Sequence, residues 1–531
     1  MKEKIVSIIN KECEHRVHKL LQHVVYRHIG SFNYQTCRYS NSKLKYEKNT
    51  KFKDELYKYH HEPYIDNANS RPSLYLKDDE ENILYDKKLK KNFPFIYSNQ
   101  VKNIDEIKQS SLTLVNIKNN KNESFGVATF NPYSLITARI ISTNPLFTIN
   151  IHFFIERIKQ SLLWRSKIIN GELALKKKPD QTVPINNTAS YQVLPINNSE
   201  PNQTLQMDKE DNTHTLTSQP FYPQLNSNNC YRLINSEGDH IPGLIIDRYD
   251  DIISIQHLTL GCEMMACNIN DAIIELLNPK AIIFRNDNKE RLNEKLEIYK
   301  KVIYGKISEQ VILNENGCFF LIDLINSPNT GWFFNRKHLR NIISNYAYQK
   351  NVLDLFSYVG SFGIQCLKNG KAMHVTCVEK DKNFVHLAKQ SAIINNIPQP
   401  SIQNNEQSNI EFICLDAITF LKNCNKLFDI IILDPPNLIP KSKFIESGTK
   451  KYIDLINLAQ NYVTPNGLIL IIFTTKLLSY QNYINIINTS FHQTKKSAKI
   501  VGQGRASPDH PANLSLYQFS DFYWFLLQVG F

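Results

Sequence analysis

Four acidic residues, each closing or just following an apolar strand, constrain this chain more than any other feature. From Val352 onward apolar strands alternate with helices, the pattern of a parallel α/β sheet. Val352-Leu353-Asp354-Leu355-Phe356 runs into Ser357-Tyr358-Val359-Gly360-Ser361-Phe362-Gly363 and then a helix. His374 to Val378 ends in Glu379, and Ile410 to Leu415 ends in Asp416-Ala417. Phe428 to Leu433 ends in Asp434-Pro435-Pro436-Asn437, and Thr464 to Gly467 reads as a turn into a fifth strand, Leu468 to Phe473. In such a sheet ligands bind beyond the carboxyl ends of the strands. The chain has only 17 glycines in 531 residues, so the pair Gly360 and Gly363 marks a tight turn and a close backbone approach.

The acids define a ligand. Glu379 is spaced to accept hydrogen bonds from two ribose hydroxyls. Asp416 can accept from an adenine amino group while the Ala417 N–H meets a ring nitrogen. Singly, each acid reads as a helix cap; together they fit a nucleoside-bearing cofactor. No G-x-G-x-x-G and no G-x-x-x-x-G-K-[ST] occurs, which argues against dinucleotides and a P-loop. S-adenosylmethionine, an adenosine with an amino-acid tail, fits. The expected cofactor residues are Asp354, Phe356, Ser357, Tyr358, Gly360, Glu379, Asp416, Ala417 and Asp434. Asp434, Pro435 and Pro436 are the expected catalytic loop. The ten cysteines form no C-x-x-C pair, and no metal set is expected.

The rest of the chain reads as separate pieces. Residues 1–79 are a basic extension, expected to be disordered, with patchy helical periodicity from Ile5 to Val25. Short strands from 80 to 150 predict a small β-barrel, and Phe153 to Ile168 a helix. Residues 172–228 are rich in Asn, Gln, Ser, Thr and Pro and are expected to be a disordered insertion. Residues 151–171 with 229–328 form an α+β middle domain, and 329–531 the Rossmann-like α/β domain. Apolar runs fall far short of the roughly 20 residues that span a bilayer, so no membrane partner is expected. The net charge of +12 favours a polyanion. No secretory segment opens the chain, and a cytoplasmic location is expected. The basic start leaves a mitochondrial or plastid address open; its acids, Glu3, Glu12 and Glu14, argue against one.

Taken together, these motifs resemble class I methyltransferases, and most closely the bacterial ribosomal RNA large subunit methyltransferase I family, which makes 5-methylcytosine in 23S rRNA. The resemblance spans roughly 80–170 and 229–528. It rests on Tyr231 to Asn235 with Glu237-Gly238-Asp239, on Pro242 to Tyr249, on Thr330-Gly331-Trp332-Phe333 with Arg340, on Val352 to Gly363, on Asp434-Pro435-Pro436 and on Asp509-His510-Pro511. It implies a PUA-like RNA-binding barrel, a small middle domain and a C-terminal methyltransferase, with RNA, ribosomal RNA in particular, as partner. A homodimer stays open.

Two departures stand out. That family usually carries Asp where this chain has Asn335. Its nucleophilic cysteine sits just after the fifth strand, where this chain reads Phe473-Thr474-Thr475-Lys476; no cysteine follows Cys424. A threonine hydroxyl without a base is a far weaker nucleophile than a thiolate. The sequence therefore predicts an S-adenosylmethionine-dependent RNA methyltransferase lacking the family cysteine. The alternative is an inactive RNA-binding or ribosome-assembly protein that kept the fold. Lys441, Lys443, Lys450 and Lys451 follow the proline loop, where a substrate phosphate would pass.

Overall fold

The computed structural model describes residues 62–77, 85–86, 91–108, 114–176, 229–398, 409–519 and 522–530. Of the extension expected over 1–79, residues 1–61, including Ile5 to Val25, lie outside the described residues, as do residues 177–228 of the polar insertion; residues 62–77 instead supply a barrel strand, Ser73–Tyr75, which pairs with the segment Leu114–Lys118.

The N-terminal barrel region contains β1 (Ser73–Tyr75), β2 (Tyr85–Asp86), β3 (Lys91–Asn92), β4 (Phe95–Tyr97), α1 (Ile104–Ile107), β5 (Leu114–Lys118), β6 (Ser124–Phe130) and β7 (Ile136–Ser142). Five of the strands form one sheet in the order β1-β5-β6-β7-β4, antiparallel except for β1 beside β5. Leu74, Ile96, Val115, Ile117, Ala128, Phe130 and Ala138 fill its core. Helix α2 (Ile151–Lys176) follows. It outruns its expected end at Ile168 and takes in the first residues of the expected insertion. The physical reason is local: Glu172-Leu173-Ala174-Leu175-Lys176 are strong helix formers, and extending an existing helix needs no new nucleus.

The middle domain contains β8 (Cys230–Asn235), β9 (Leu244–Tyr249), β10 (Ile252–His257), α3 (Leu260–Met264), α4 (Ala266–Leu277), β11 (Ala281–Asn286) and β12 (Tyr299–Gly305), in sheet order β12-β11-β10-β9-β8. The helical stretch from Leu260 to Leu277 divides at Met265, and Thr259 caps its separate first turn through the Cys262 N–H. The hairpin β13 (Val311–Glu315) and β14 (Cys318–Ile322) falls inside the sequence boundary of the middle domain. Its residues Leu313, Phe320 and Ile322 nonetheless share a core with Val352, Val359 and Phe362 of the C-terminal sheet.

That sheet holds seven strands in the order β17-β16-β15-β18-β19-β21-β20. The chain runs α5 (Lys337–Ser344), β15 (Asn351–Leu355), α6 (Ser361–Lys368), β16 (His374–Glu379), α7 (Lys382–Ile394), β17 (Ile410–Cys414), α8 (Ala417–Asn423), β18 (Phe428–Leu433), α9 (Ile445–Ala459), β19 (Val463–Phe473), α10 (Tyr480–Thr494), β20 (Ala498–Gly504) and β21 (Tyr523–Val529). The first five strands are parallel, and β21 runs antiparallel between β19 and β20. The central strands read as unbroken apolar runs because both faces are covered: Ile430 and Ile432 enter one core, Ile431 and Leu433 the other. The order of the strands reverses between β15 and β18, and their carboxyl ends diverge there. The expected turn Thr464 to Gly467 is an excursion within β19. Pairing jumps from Phe428 with Val463 to Ile430 with Leu468, and Asn466 takes a left-handed φ of 62°.

A buried polar seam joins the middle domain to this sheet. Arg165 on α2 forks onto Asp239 at 2.5 and 2.7 Å and donates to the carbonyl oxygens of Arg232 and Asp509. The Arg232 N–H reaches Asp509, and its guanidinium reaches Asp247. Asn235 donates to the Pro511 carbonyl at 2.9 Å. Asp509-His510-Pro511 is thus a staple between domains. His510 meets Asp509 at 2.9 Å inside it.

Candidate functional site

The loop after β15 turns sharply into α6. Phe356, Tyr358 and Gly360 take left-handed φ values of 61°, 54° and 72°. Backbone bonds from Ser357 N–H to Val378 O and from Gly360 N–H to Ser357 O hold it. Only glycine suits position 363. A Cβ there would lie 2.4 Å from Cys377 Sγ and 2.9 Å from Val375, so α6 packs its first turn directly on β16. A buried pair supports the same turn: Arg340 bonds Glu315 at 2.6 Å, stacks over Trp332 and reaches Ser361 Oγ.

Asp354 is wholly buried. Its Oδ2 accepts from the Gly363 N–H at 3.0 Å, while Oδ1 is buried with no hydrogen-bond partner. Burial pushes its carboxyl up to about 7; the Asp434 and Glu379 charges add to this, and the Gly363 N–H and Arg340 oppose it. A buried acceptor without a donor is uncommon and marks a place where something is missing.

Glu379 stands at the end of β16, half-buried. It accepts from the Tyr358 N–H at 3.0 Å and the Asp381 N–H at 3.1 Å. Asp416 caps α8: its Oδ1 accepts from Ile418, Thr419 and the Thr419 hydroxyl. A carboxylate offers about four acceptor positions, so both acids keep capacity for a ligand. Tyr358 and Ser357 are buried. The Tyr358 hydroxyl donates to the Gly331 carbonyl and accepts from Ser327 Oγ, and its ring packs with Trp332, Phe333 and Phe384. The Tyr358 side chain is thus committed within the protein, a point the sequence does not reveal. Ala417 is buried, and its N–H is not among those the Asp416 side chain caps.

Asp434 ends β18 beside the switch point. Pro435 is buried and Pro436 exposed. Arg336 forks onto Asp434 with Nε–Oδ2 at 2.5 Å and Nη2–Oδ1 at 2.7 Å. Sequence reasoning missed Arg336. The one signal for it is a basic residue two positions after three aromatics, Trp332-Phe333-Phe334. Beneath the proline loop lie Tyr452, fully buried, and Thr474, half-buried at the end of β19. Their hydroxyls are buried beside each other: burial pushes the Tyr452 phenol up, and hydrogen bonding with Thr474 opposes it. The loop itself is clamped: Thr475 Oγ1 donates to Ile439 O at 3.1 Å. Lys441, Lys443, Lys450 and Lys451 beyond it are exposed, and Lys443 lies 5.1 Å from the exposed Phe444 ring. No helix among the described residues is long and apolar enough to cross a membrane.

This arrangement of sheet, loop and acids has counterparts. Residues 84–143 match the model of a PUA-like domain, and residues 335–498 match the family named conserved hypothetical protein 95. A solved structure described as a methyltransferase complexed with SAH superposes with a TM-score of 0.61 at 19% identity, covering 86% of this chain and 99% of that one. A structure described as a SAM-dependent methyltransferase from Streptococcus mutans gives 0.60 over 86% and 100%. These likenesses bear out the Rossmann-like α/β fold. The ribosomal RNA large subunit methyltransferase I of Pseudoalteromonas translucida is 24% identical over 80% of this chain and 92% of its own. The protein of the same name from Aeromonas salmonicida is 31% identical over 285 residues, 53% of this chain and 70% of that one. With that identity over more than two thirds of the relative, the chain belongs to the ribosomal RNA large subunit methyltransferase I family.

Proposed function

We propose that this chain is an S-adenosylmethionine-dependent methyltransferase acting on ribosomal RNA in the cytoplasm, without a covalent enzyme–base adduct. The observation that carries the cofactor is the orphaned Oδ1 of Asp354 at the switch point, a buried acceptor suited to a cationic N–H donor. The residues present fit the group. Glu379 takes the ribose hydroxyls with its remaining lone pairs, and Asp416 with the Ala417 N–H takes the adenine edge. The backbone of Phe356, Ser357, Tyr358 and Gly360 lines the amino-acid tail. S-adenosylmethionine supplies an electrophilic methyl group. Asp434, Pro435 and Pro436 orient the target beside it, and orientation is the main contribution of such a site.

Thr474 supports transfer without an adduct. Its hydroxyl sits where the family resemblance expects the cysteine. Cys366 and Cys377 are buried, and burial pushes their thiols up. Cys414 is exposed but ends β17, four strand spacings from β19, roughly 19 Å at ~4.8 Å each. A base nitrogen or a hydroxyl oxygen needs no adduct, and either fits better than carbon 5. The same Thr474 favours a second reading, an RNA-binding protein that retains the fold without turnover. Calorimetry with S-adenosylmethionine, and mass spectrometry of rRNA nucleosides with and without the protein, separate these readings. Absence of cofactor binding by the intact chain rejects the first.

A further inference from the structure

Asp434 is not a free carboxylate. Both of its oxygens are taken by one guanidinium, and the side chains of Arg336 and Asp434 are only 7% and 12% exposed. The third arm of Arg336, Nη1, donates to Asn335 Oδ1 at 2.9 Å. The guanidinium carbon lies 4.6 Å from the Phe333 ring centre and 5.1 Å from that of Phe522. Three separate segments therefore fix its plane: the lead into α5, the end of β18 and the residue before β21. Ser507 anchors the first of these, its N–H donating to Asn335 O at 2.9 Å.

A fork-to-fork pair fixes the rotation of a carboxylate as well as its place. Each Asp434 oxygen uses one lone pair on Arg336 and keeps another. A carboxylate held by a permanent cation acts as an acceptor. It orients an N–H and is a poor group for removing a proton. Asn335 bears on this directly. A carboxylate at that position would compete with Asp434 for the same guanidinium, whereas the amide leaves the whole charge to Asp434. The departure at Asn335 thus falls on the partner of the residue that holds the site acid.

Resting on the methyl-transfer reading above, we infer that Arg336 is a positioning residue of the transfer site. It locks Asp434 as the acceptor for an N–H of the target nucleotide, so the site selects a base that presents such a donor.

The test uses the full chain, S-adenosylmethionine and unmodified large-subunit ribosomal RNA transcribed in vitro. Arg336→Met should lower kcat on the order of 100-fold, the scale of a misplaced reacting group, while leaving affinity for S-adenosylmethionine near wild type. Arg336→Lys, which keeps the charge but not the fork, should recover only part of that loss. Asn335→Asp removes no buried partner; it should lower kcat with an unchanged unfolding midpoint. A wild-type kcat in folded Arg336→Met overturns the inference, as does a cofactor affinity that falls in step with kcat. If Arg336→Met does not fold, Asn335→Asp decides alone, and an unchanged kcat there overturns it. A wild-type chain that transfers no methyl group rejects the functional reading, and this inference with it. An active wild type with indifferent variants rejects the inference alone.

Discussion

Asp354 at the switch point and Asp509 at the domain seam are both buried, yet their environments pull them in opposite directions. Burial pushes Asp354 up to about 7, and one of its oxygens has no donor. Burial also acts to raise Asp509, but His510, Lys337 and the Arg232 N–H outweigh it and hold the carboxyl at about 2. At the seam every strong acceptor is matched: Asp239 by Arg165, Asp247 by Arg232, Asp509 by His510. The switch point leaves an acceptor unmet. A fold gains nothing from an unmet buried carboxylate, so under the proposed function the difference separates groups kept for stability from a group kept for the cofactor.

The sharpest test of that division is at the seam. Arg165→Ala leaves Asp239 buried without its partner, and should cost about 3–5 kcal/mol of stability. Urea unfolding checks it, and cofactor affinity of the folded fraction should not change. A variant that keeps its stability but loses cofactor would erase the comparison.

Next comes pH. The folded pKa of Asp354 lies above its ordinary value of 3.8. The stability linked to its proton is therefore fully present below about pH 4 and lost as pH rises through about 7, on the order of a few kcal/mol at ~1.4 per unit. Asp509 works the other way: its contribution is present above about pH 4 and lost as pH falls through about 2. Unfolding midpoints followed across pH should show Asp354→Asn flattening the neutral side and Asp509→Asn the acid side. Identical profiles for the two variants would contradict the assignment.

Glu379→Ala should weaken S-adenosylmethionine binding by about 1.5–3 kcal/mol, the range for hydrogen bonds to a charged group. Calorimetry measures it, and global stability should move less than in Arg165→Ala. The smallest effect is expected at Thr474. Thr474→Ala should reduce methyl transfer far less than Asp434→Ala, and RNA carrying 5-fluorocytosine should trap no adduct. A trapped adduct mapped to any cysteine would restore carbon-5 chemistry.

How much of this was legible beforehand depends on range. The strand ends carrying Glu379 and Asp434 are visible because unbroken apolar runs and their punctuation are local properties. The end of α2 is not legible because a polar composition hides five good helix formers, Glu172 to Lys176. The packing of the hairpin Val311 to Ile322 is not legible in the sequence, since its strands pair locally but pack on α7. Leu321 N–H reaches Ser391 Oγ and Phe319 N–H reaches Asn395 Oδ1, contacts 70 and 76 residues apart in sequence.

By itself the sequence determined the α/β alternation, the order of the acids, the Gly360 and Gly363 turn and the missing cysteine, because each is written in neighbouring residues. Only the tertiary structure decided which acids are spent and which are spare. Asp434 and Arg336 are 98 residues apart, and Arg165 and Asp509 344 apart. Asp416 reads as a ligand from its strand and as a cap from its helix. The free energy of a carboxylate depends on which donors the fold brings to it, and those donors come from elsewhere in the chain.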